Sequence, residues 1–423
     1  MKMKNYRWVV VALLFIATTI NYMDRQIIGL LKPILESEFS WTETDYAHII
    51  MAFTAAYAVG LLVMGRFIDW IGTRFGFAIS ATIWSLAGML HAVARSVGGF
   101  SFARIGLGIG EAGNFPACTK AVSEWFPKRE RAVATGIFNS GTSIGVVLAL
   151  ILTPIILSSY GWHEVFWITG GIGLVWVVLW LWLYELPRRQ KRITEKELAL
   201  IEEDGEEVAE NAPKVKWISL FRKPQTWAVI SGKLFIDPIY WFFLFWLPSY
   251  FRTSFDIDLS KPSIPLMIIY TATTIGSIAG GYLSSHLIKR GWGVSKARLA
   301  ALLIFAIIEL SVIGMQFITD MWLAVAILSL AVAVHQAWAT NIFTLASDMF
   351  PKQNVSSVVG IAGMSGAVGG ILFPLFVGGI LDHFRLLGDI SVGYNIIFTV
   401  CGCTYLLVWA LILFLVRKSK EQH

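Results

Sequence analysis

Apolar residues make up 56% of the 423 residues of this chain, and charged residues make up only 15%. A soluble domain carries roughly a quarter charged residues, so the composition excludes a water-soluble fold of this length and predicts a membrane protein. The net charge of +6 does not indicate a nucleic-acid partner, because the basic residues lie in short loops beside apolar segments.

Twelve segments are apolar enough to cross a bilayer, which requires about 20 mostly apolar residues. They lie near residues 8–31, 46–68, 76–94, 99–122, 133–157, 164–184, 226–250, 263–288, 298–317, 322–346, 356–381 and 393–416. If both termini lie on one side, that side holds 25 Lys and Arg residues and the other side holds five. Because Lys and Arg collect in cytoplasmic loops, both termini are expected to be cytoplasmic.

The first span begins after three basic residues and contains polar groups. No small-residue cleavage site follows the apolar run from Trp8 to Ile20, so we expect a retained helix rather than a signal peptide. Asp24 and Arg25 lie within this helix. Neighbouring residues on a helix point in different directions, so at most one of the two is expected to face a central cavity fully.

The loop after the second span combines glycines with charges. Its spacing is Gly-x-x-x-Asp-x-x-Gly-x-Arg, formed by Gly65, Asp69, Gly72 and Arg74. Glycines permit a tight turn and close helix packing, and Asp69 can pair with basic residues across a gate. We therefore predict a gating motif, although a charged turn between two helices would have the same composition.

Ionisable residues also lie inside predicted spans, where a charge costs at least ~2.5–3.5 kcal/mol. Arg104 and Glu111 are two helical turns apart, about 10 Å along the axis, so we expect them to face one cavity without touching. Lys233 and Asp237 have a spacing that allows contact, and a neutralised structural ion pair fits that spacing as well as a binding role. Glu309 is interpreted as a structural partner or a lipid-shielded residue.

These charges predict a chemistry. Two arginines beside a cavity suit a carboxylate substrate, because a guanidinium offers a forked donor. An anion bound to an arginine would remove the support for a neighbouring carboxylate and promote its protonation. The pattern therefore favours symport of an anion with protons. Polar and aromatic residues near the charges are candidates for binding hydroxyls or sugar faces, although helix packing or interfacial anchoring explains each of them alone at least as well. The candidates are Tyr22, Tyr57, Asn139, Thr142, Gln336, Trp338 and Asn341.

The longest loop, 185–225, is strongly charged and divides the chain near its middle. Thr194 stands three residues before Glu197 and just ahead of apolar residues, which is the spacing of a capping box. We expect a short helix at the cytoplasmic surface, the alternative being a flexible linker throughout. The predicted organisation is a six-helix half over 1–184, a linker over 185–225 and a second six-helix half over 226–423.

An internal repeat supports two halves. Residues 123–128 read Ser-Glu-Trp-Phe-Pro-Lys, and residues 347–352, which lie 224 positions later, read Ser-Asp-Met-Phe-Pro-Lys. The same offset pairs Gly145 with Gly369, and it places His335 at the position equivalent to Glu111. Two repeated six-span halves are the architecture of the major facilitator superfamily, and this all-helical fold is predicted here.

The chain resembles the anion:cation symporter family of that superfamily, and within it the bacterial hexuronate and aldonate transporters. The resemblance is carried by Asn-Tyr-Met-Asp-Arg at 21–25, by 104–112, by Ser-Glu-Trp-Phe-Pro at 123–127 and by His-Gln-Ala-Trp-Ala-Thr-Asn at 335–341. The loop motif at 65–74 also matches the superfamily. The resemblance implies a transporter in a bacterial inner membrane.

The resemblance further implies roles for individual residues. Positions matching Asp24 and Glu111 carry protons in related sugar-acid transporters. Those matching Tyr22, Arg25, Tyr57 and Arg104 contact the acid substrate. Lys233, Gln336 and His335 join them as predicted substrate contacts, together with the candidates above. Some galactonate transporters have glutamine at the position of Thr142, and this departure favours a ring-form uronate over galactonate.

The predicted function is proton-coupled import of hexuronates such as glucuronate or galacturonate by alternating access. An aldonate, a sialate or another organic anion remains the alternative substrate. A membrane enzyme or sensor is disfavoured, because the sequence contains no nucleotide-binding loop, metal-ligand cluster or nucleophile motif.

Protons are the expected coupling ion, with no other cofactor, and the chain is expected to act as a monomer. Cys118, Cys401 and Cys403 lie in or beside apolar segments and are expected to be structural.

Overall fold

The computed structural model describes residues 4–41, 43–204, 217–256 and 264–420. The basic residues Lys2, Lys214, Lys216 and Lys261, which contribute to the predicted charge asymmetry, lie outside the described residues. Within the described ranges the regular structure is helical throughout, with no strand. The all-α prediction is therefore confirmed.

The described residues form fifteen α-helices, several of them longer than a membrane is thick. Those before residue 205 are α1 (Tyr6–Phe39), α2 (Glu43–Ile71), α3 (Thr73–Leu90), α4 (Val97–Glu111), α5 (Asn114–Trp125), α6 (Lys128–Tyr160), α7 (Trp162–Leu183) and α8 (Glu195–Ile201). Those after residue 216 are α9 (Pro224–Leu234), α10 (Asp237–Phe255), α11 (Ile264–Lys289), α12 (Val294–Glu309), α13 (Met321–Met349), α14 (Val355–Leu386) and α15 (Ile390–Lys420).

Eleven helical segments of the described chain are long and apolar enough to cross a membrane. The predicted twelfth, near 99–122, is present as the pair α4 and α5, each too short to qualify alone. The outward surface of these helices is apolar, as lipid requires. Phe102, Val178 and Leu407, for example, are each about two-thirds exposed or more.

Three spans predicted as single helices are interrupted. The span near 99–122 breaks between Glu111 and Asn114. The span near 226–250 breaks between Leu234 and Asp237, and the one near 298–317 changes after Glu309 into a 3-10 segment, Leu310–Phe317. Two of the breaks carry local signals, because Gly113 stands within the first and Pro238 follows the second, whereas the third lies in a stretch without proline. Each break adjoins a buried ionisable side chain.

Two compact units are formed. The first comprises Met1–Lys128, Ile137–Trp217 and Phe350–Met364, and the second comprises Arg129–Gly136, Ile218–Met349 and Ser365–His423. The start of α6 thus belongs to the second unit and the start of α14 to the first. The predicted halves, 1–184 and 226–423, instead assign the start of α6 to the first half and the start of α14 to the second. These predicted boundaries stay predictions.

Gly145 and Gly369, which the sequence repeat pairs, make equivalent helix contacts in the two units. A Cβ atom at Gly145 on α6 would collide with the carbonyl oxygen of Thr19 on α1. At the equivalent Gly369 on α14, a Cβ atom would collide with the carbonyl oxygen of Leu234 on α9. Because helices in lipid pack closely only through small residues, each unit needs a glycine at this contact.

The predicted linker contains the short helix α8, and the Thr194 hydroxyl caps it by accepting from the backbone N–H of Glu197 at 3.3 Å, while its place at the cytoplasmic surface stays a prediction. The Glu197 carboxylate itself accepts from the N–H groups of Tyr6 and Arg7, at 2.9 and 3.0 Å. It also accepts from the Arg7 guanidinium at 3.2 Å. A buried carboxylate therefore satisfies the first free N–H groups of α1, where the helix dipole favours negative charge.

Candidate functional site

In the first unit, the centre of the candidate site is a buried ion pair between Arg25 and Glu111. The Arg25 guanidinium places Nη2 at 2.8 Å and Nε at 2.9 Å from the same carboxylate oxygen of Glu111. The other oxygen of Glu111 has no hydrogen-bond partner among the described residues. Glu111 is fully buried, whereas the Arg25 side chain is 17% exposed. Glu111 is also the last residue of α4, next to the helix break.

Aromatic rings surround the Arg25 guanidinium. Its central carbon lies 4.6 Å from the ring centroid of Tyr22, 4.5 Å from that of Tyr57 and 5.1 Å from that of Phe53. These distances are within the range of cation–π attraction. The rings pack against the planar guanidinium, and the Arg25 side chain stays 17% exposed, which is an arrangement suited to receiving a second carboxylate.

Arg104 and Asp24 are more deeply buried than Arg25, at 2% and 4% exposure. Arg104 lies over the Phe53 ring at 5.4 Å and interacts electrostatically with Glu111 and Asp24. The Asp24 oxygens make no hydrogen bond of normal geometry with any residue that the structure describes, although the Thr169 hydroxyl lies beside them. The structure thus brings the four predicted charges of this half together, and of the neighbours on α1 it is Arg25 that is partly exposed.

Two further predicted contacts of this unit lie on α6. Asn139 and Thr142 are nearly one helical turn apart and are buried, at 3% and 8% exposure. Their role as substrate contacts stays a prediction.

In the second unit, Lys233 and Asp237 form the predicted ion pair. Their charged atoms are 2.7 Å apart, and the pair spans the break between α9 and α10. The Lys233 ammonium also lies 4.6 Å from the ring centroid of Phe343 on α13. The i,i+4 spacing therefore gave the contact correctly, and both its structural and its binding interpretation remain compatible with this geometry.

The predicted residues of α13 divide into two groups. His335 bonds through Nδ1 to the Tyr405 hydroxyl at 2.8 Å and stacks on Tyr240 with ring centroids 4.7 Å apart. Gln336 interacts with the Tyr240 hydroxyl. These residues form a polar group that is suited to binding hydroxyls.

The side-chain N–H groups of Trp338 and Asn341 donate hydrogen bonds to backbone carbonyl oxygens. The Trp338 indole donates to the carbonyl oxygen of Gly232 at 3.2 Å. The Asn341 amide donates to those of Gly280 and Ala337, at 3.0 and 2.9 Å. These bonds support helix packing, so a substrate contact for either residue stays a prediction.

The predicted gating motif is held in place by partners outside it. Asp69 accepts from Lys120 at 2.8 Å and from the backbone N–H of Ser357 at 2.6 Å. Arg74 bonds instead to Glu185 and to the carbonyl oxygen of Leu181. Gly72 has a φ of 95°, in the left-handed region that favours glycine, and a Cβ atom at Gly65 would approach the carbonyl oxygen of Ser356.

The acidic residues of the repeated motif, Glu124 and Asp348, also form hydrogen bonds or ion pairs with neighbouring helices. Glu124 accepts from the Thr73 hydroxyl at 2.8 Å and from the Tyr184 hydroxyl. Burial, and then the charge of Glu124, raise the pKa of Tyr184, so this phenol remains a donor. The equivalent Asp348 pairs with Arg298 at 2.9 Å and Arg131 at 3.3 Å.

Several of these residues were missed by sequence reasoning. Lys120 lies inside a predicted span, and a buried cation there was a readable signal for a partner such as Asp69. Phe53 carried no such signal, because an aromatic residue within a span is ordinarily packing. The pairing of Arg131 and Arg298 with Asp348 also needed the folded chain, since the sequence suggested only loop charges.

Comparison with known proteins agrees with this architecture. The family model described as Major Facilitator Superfamily matches residues 14–374 and 266–423. The chain is 31% identical to a hexuronate transporter of Escherichia coli strain K12 over 423 residues, which cover 99% of this chain and 96% of that one. It is 33% identical to a galacturonate transporter of Dickeya chrysanthemi over 284 residues, covering 67% and 82%.

Among solved structures, the transporter FucP of the same superfamily matches with a TM-score of 0.70 at 15% identity, covering 97% of this chain and 99% of that one. This likeness concerns the fold. The chain belongs to the major facilitator superfamily. It is accordingly a multi-pass membrane transporter rather than an enzyme, and the predicted family and fold are confirmed.

Proposed function

We propose that this protein is a proton-coupled symporter that imports hexuronates, such as glucuronate or galacturonate, by alternating access. The observation that carries the proposal is the buried Arg25–Glu111 ion pair. It joins a guanidinium suited to a carboxylate to a carboxylate that is able to take up a proton. The hexuronate and galacturonate transporters among its relatives support the same substrate class.

Coupling follows from competition for Arg25. A substrate carboxylate that bonds to the exposed edge of the guanidinium draws it away from Glu111. Glu111 is fully buried, so its charge would then lack compensation, and removing one partner of a buried pair is strongly unfavourable. Protonation of Glu111 removes that charge. Binding of the anion therefore increases the proton affinity of Glu111, and protonation of Glu111 increases the affinity for the anion by the same factor.

Neighbouring groups complete the proposal. Asp24 is a second proton-binding residue, since it is buried close enough to interact with both Glu111 and Arg104. Tyr22 and Tyr57 contribute hydroxyls and ring faces, and Arg104 contributes a second cation. Protons are the coupling ion, and the protein acts as a monomer. It resides in a bacterial inner membrane with both termini in the cytoplasm.

The alternative substrates are an aldonate, a sialate or another organic anion. All of these carry the carboxylate that Arg25 and Arg104 are suited to bind. The sugar ring and its stereochemistry distinguish them, and these are tested directly by competition.

The test is uptake of labelled glucuronate into proteoliposomes under an inward proton gradient. Unlabelled galacturonate, galactonate, sialate and glucose serve as competitors. We expect accumulation driven by the gradient and inhibited only by the uronate. Accumulation of a different acid would replace the substrate but retain the coupling, and a preference for glucose would contradict the role of the arginines.

The Glu111→Gln variant separates coupling from binding. We expect it to exchange labelled for unlabelled glucuronate but to lose gradient-driven accumulation, because glutamine cannot release a proton. The control is Glu36→Gln, which removes a carboxylate from a partly exposed ion pair with Lys32 on α1. Accumulation by Glu111→Gln equal to that of the unaltered protein would exclude Glu111 as a coupling residue.

A further inference from the structure

Exposed cations gather at one end of the second unit, in segments that carry no acidic residue. The sequence has no Asp or Glu between positions 258 and 309, which include α11 and the turn to α12, and none between 389 and 421, which include α15. Five exposed Lys and Arg residues lie in these segments, and none of them forms an ion pair with any residue that the structure describes. They are Lys289, Arg290, Lys296, Arg417 and Lys418.

Cations in the linker and at the start of α3 have acidic partners instead. Arg188 pairs with Glu202 at 2.6 Å, and Arg74 bonds to Glu185. Orientation in the membrane requires only an excess of Lys and Arg on one side and depends little on acidic residues, so it does not explain why these segments lack them. The positive charge at the ends of α11 and α15 is therefore left for an anion outside the chain to balance.

A row of exposed residues on α11 leads to these cations. Ile275, Ile278 and Tyr282 follow each other at intervals of three and four residues, which places them on one face of the helix, and each of them is exposed. Lys289 continues the row about 10 Å beyond Tyr282 along the helix axis. The row thus passes from aliphatic to aromatic to cationic side chains, which is the order of hydrocarbon, interface and headgroup in a bilayer.

The lipid-facing row of α15 has the same order. Leu407, Leu411 and Phe414 are exposed and lie on one face of the helix at intervals of four and three residues. Lys418 is the next residue on that face, one helical turn after Phe414, and it is exposed as well. Two helices of the second unit therefore present aliphatic, aromatic and cationic groups to lipid in the same sequence.

The start of α12 is a basic and aromatic turn. Lys296 shares a face with the exposed Ile304 and Ile307, which lie about two and three helical turns further along. Its ammonium is 5.1 Å from the ring centroid of Trp292, which is itself exposed. The N-cap residue, Gly293, has no side chain to cap the helix, so the first N–H groups of α12 also favour a negative charge beside Lys296.

The three rows end at the same place because of how the helices pack. α12 packs against both α11 and α15. The indole of Trp409 on α15 donates to the carbonyl oxygen of Leu299 at 2.9 Å. A Cβ atom at Gly402, earlier on α15, would lie 3.4 Å from the carbonyl oxygen of Glu309, later on α12. The two helices are therefore antiparallel, so the end of α15 lies beside the start of α12, and the turn over 290–293 joins the end of α11 to the same point.

We propose that these five cations form a binding surface for the phosphate headgroup of an anionic phospholipid such as phosphatidylglycerol. The headgroup contacts the cations, and the acyl chains lie along the apolar rows of α11, α12 and α15. Basic groups between membrane helices are suited to such headgroups. The apolar rows favour a lipid over free phosphate, because a soluble anion makes no contact with them. The surface belongs to the second unit alone and does not depend on the transported substrate.

The first experiment measures lipid binding by the full-length protein in an uncharged detergent. Native mass spectrometry counts the bound molecules of phosphatidylglycerol and of phosphatidylcholine at each lipid concentration, which gives a Kd for each lipid. We expect the unaltered protein to bind phosphatidylglycerol more tightly. In the variant Lys289→Gln/Arg290→Gln/Lys296→Gln, the Kd for phosphatidylglycerol should rise at least about tenfold, since one cation near an anionic headgroup changes the affinity about fivefold. The Kd for phosphatidylcholine should not change.

The matched control is Arg188→Gln/Lys191→Gln/Lys196→Gln, which removes three exposed cations from the linker, where acidic residues are abundant. It should leave the Kd for phosphatidylglycerol unchanged. An equal rise in both triple variants would show general attraction to a basic protein and overturn the proposal, and so would an unchanged Kd in the first variant. Arg417→Gln/Lys418→Gln should also raise the Kd, and it decides the outcome if the first triple variant does not fold.

The second experiment distinguishes a lipid from a soluble anion by thermal unfolding in the same detergent. A ligand that binds only the folded protein raises its Tm. We expect phosphatidylglycerol to raise the Tm of the unaltered protein and of the linker control, but not that of Lys289→Gln/Arg290→Gln/Lys296→Gln. Inorganic phosphate at the same concentration should leave every Tm unchanged. A rise with inorganic phosphate as large as the rise with phosphatidylglycerol would overturn the lipid assignment and leave a site for soluble anions.

Discussion

At the scale of single residues, Arg25 connects the groups of the first unit. It bonds to Glu111, 86 residues away, and lies against the rings of Tyr22, Tyr57 and Phe53. Each contact uses a different property of the side chain: its charge, its donors or its planar faces. A substitution that keeps the charge alone therefore tests whether geometry matters.

We predict that Arg25→Lys raises the KM for the transported acid about ten- to a hundredfold. A lysine keeps the charge but loses the forked donors and the flat surface between the rings. Hydrogen bonds to charged groups contribute about 1.5–3 kcal/mol, and each 1.4 kcal/mol is about tenfold in affinity. The measurement is the concentration dependence of uptake, with Arg95→Lys in an exposed loop as the control. An unchanged KM would show that charge alone suffices.

At the scale of helices, polar contacts at helix ends and breaks fix the elements that carry the site. The breaks after Glu111 and Leu234 place charged side chains at points where the backbone is irregular. Irregular backbone within a membrane is tolerated where it is buried in protein or lines a polar cavity. At the start of α1, the same need for polar partners is met by Glu197 of the linker helix.

We predict that Glu197→Gln lowers the stability of the protein by about 1–3 kcal/mol, the penalty for weakening hydrogen bonds to a buried charged group. Thermal unfolding in detergent should show a Tm lower by a few degrees, and the amides of Tyr6 and Arg7 should exchange hydrogen faster. Glu195→Gln is the matched control, because Glu195 is exposed in the first turn of the same helix. Equal effects of the two variants would mean that only the charge of α8 matters.

At the scale of the whole molecule, the distribution of charge predicts the topology. Of the 30 Lys and Arg residues assigned to loops, 25 fall on one side, a bias that sets orientation during insertion. The even number of spans then places both termini on that side. The structure supplies exposed positions in loops predicted to lie on opposite sides of the membrane.

We predict that Leu387→Cys is labelled by a membrane-impermeant maleimide in intact spheroplasts, whereas Glu203→Cys is labelled only after permeabilisation. Both positions are exposed. The background has alanine at the three native cysteines, of which Cys118 and Cys401 are buried. The reverse pattern of labelling would place both termini outside the cell.

The sequence by itself determined the membrane class, the repeat and the location of the spans, because composition and hydropathy are properties of the chain that folding does not alter. It also determined the Lys233–Asp237 contact, since an i,i+4 spacing is nearly local. The short helix α8 was predictable for the same reason, because capping acts within one turn.

Only the tertiary structure decided which charges pair across the fold. The partners Arg25 and Glu111, Asp69 and Lys120, or Glu197 and the start of α1 lie far apart in the chain. Their contact depends on the rotation of each helix against its neighbours, which packing of the whole unit sets. The break after Glu111 carries a local signal in Gly113, whereas no proline in Val294–Phe317 accounts for the change to 3-10 helix after Glu309, which only the folded chain revealed.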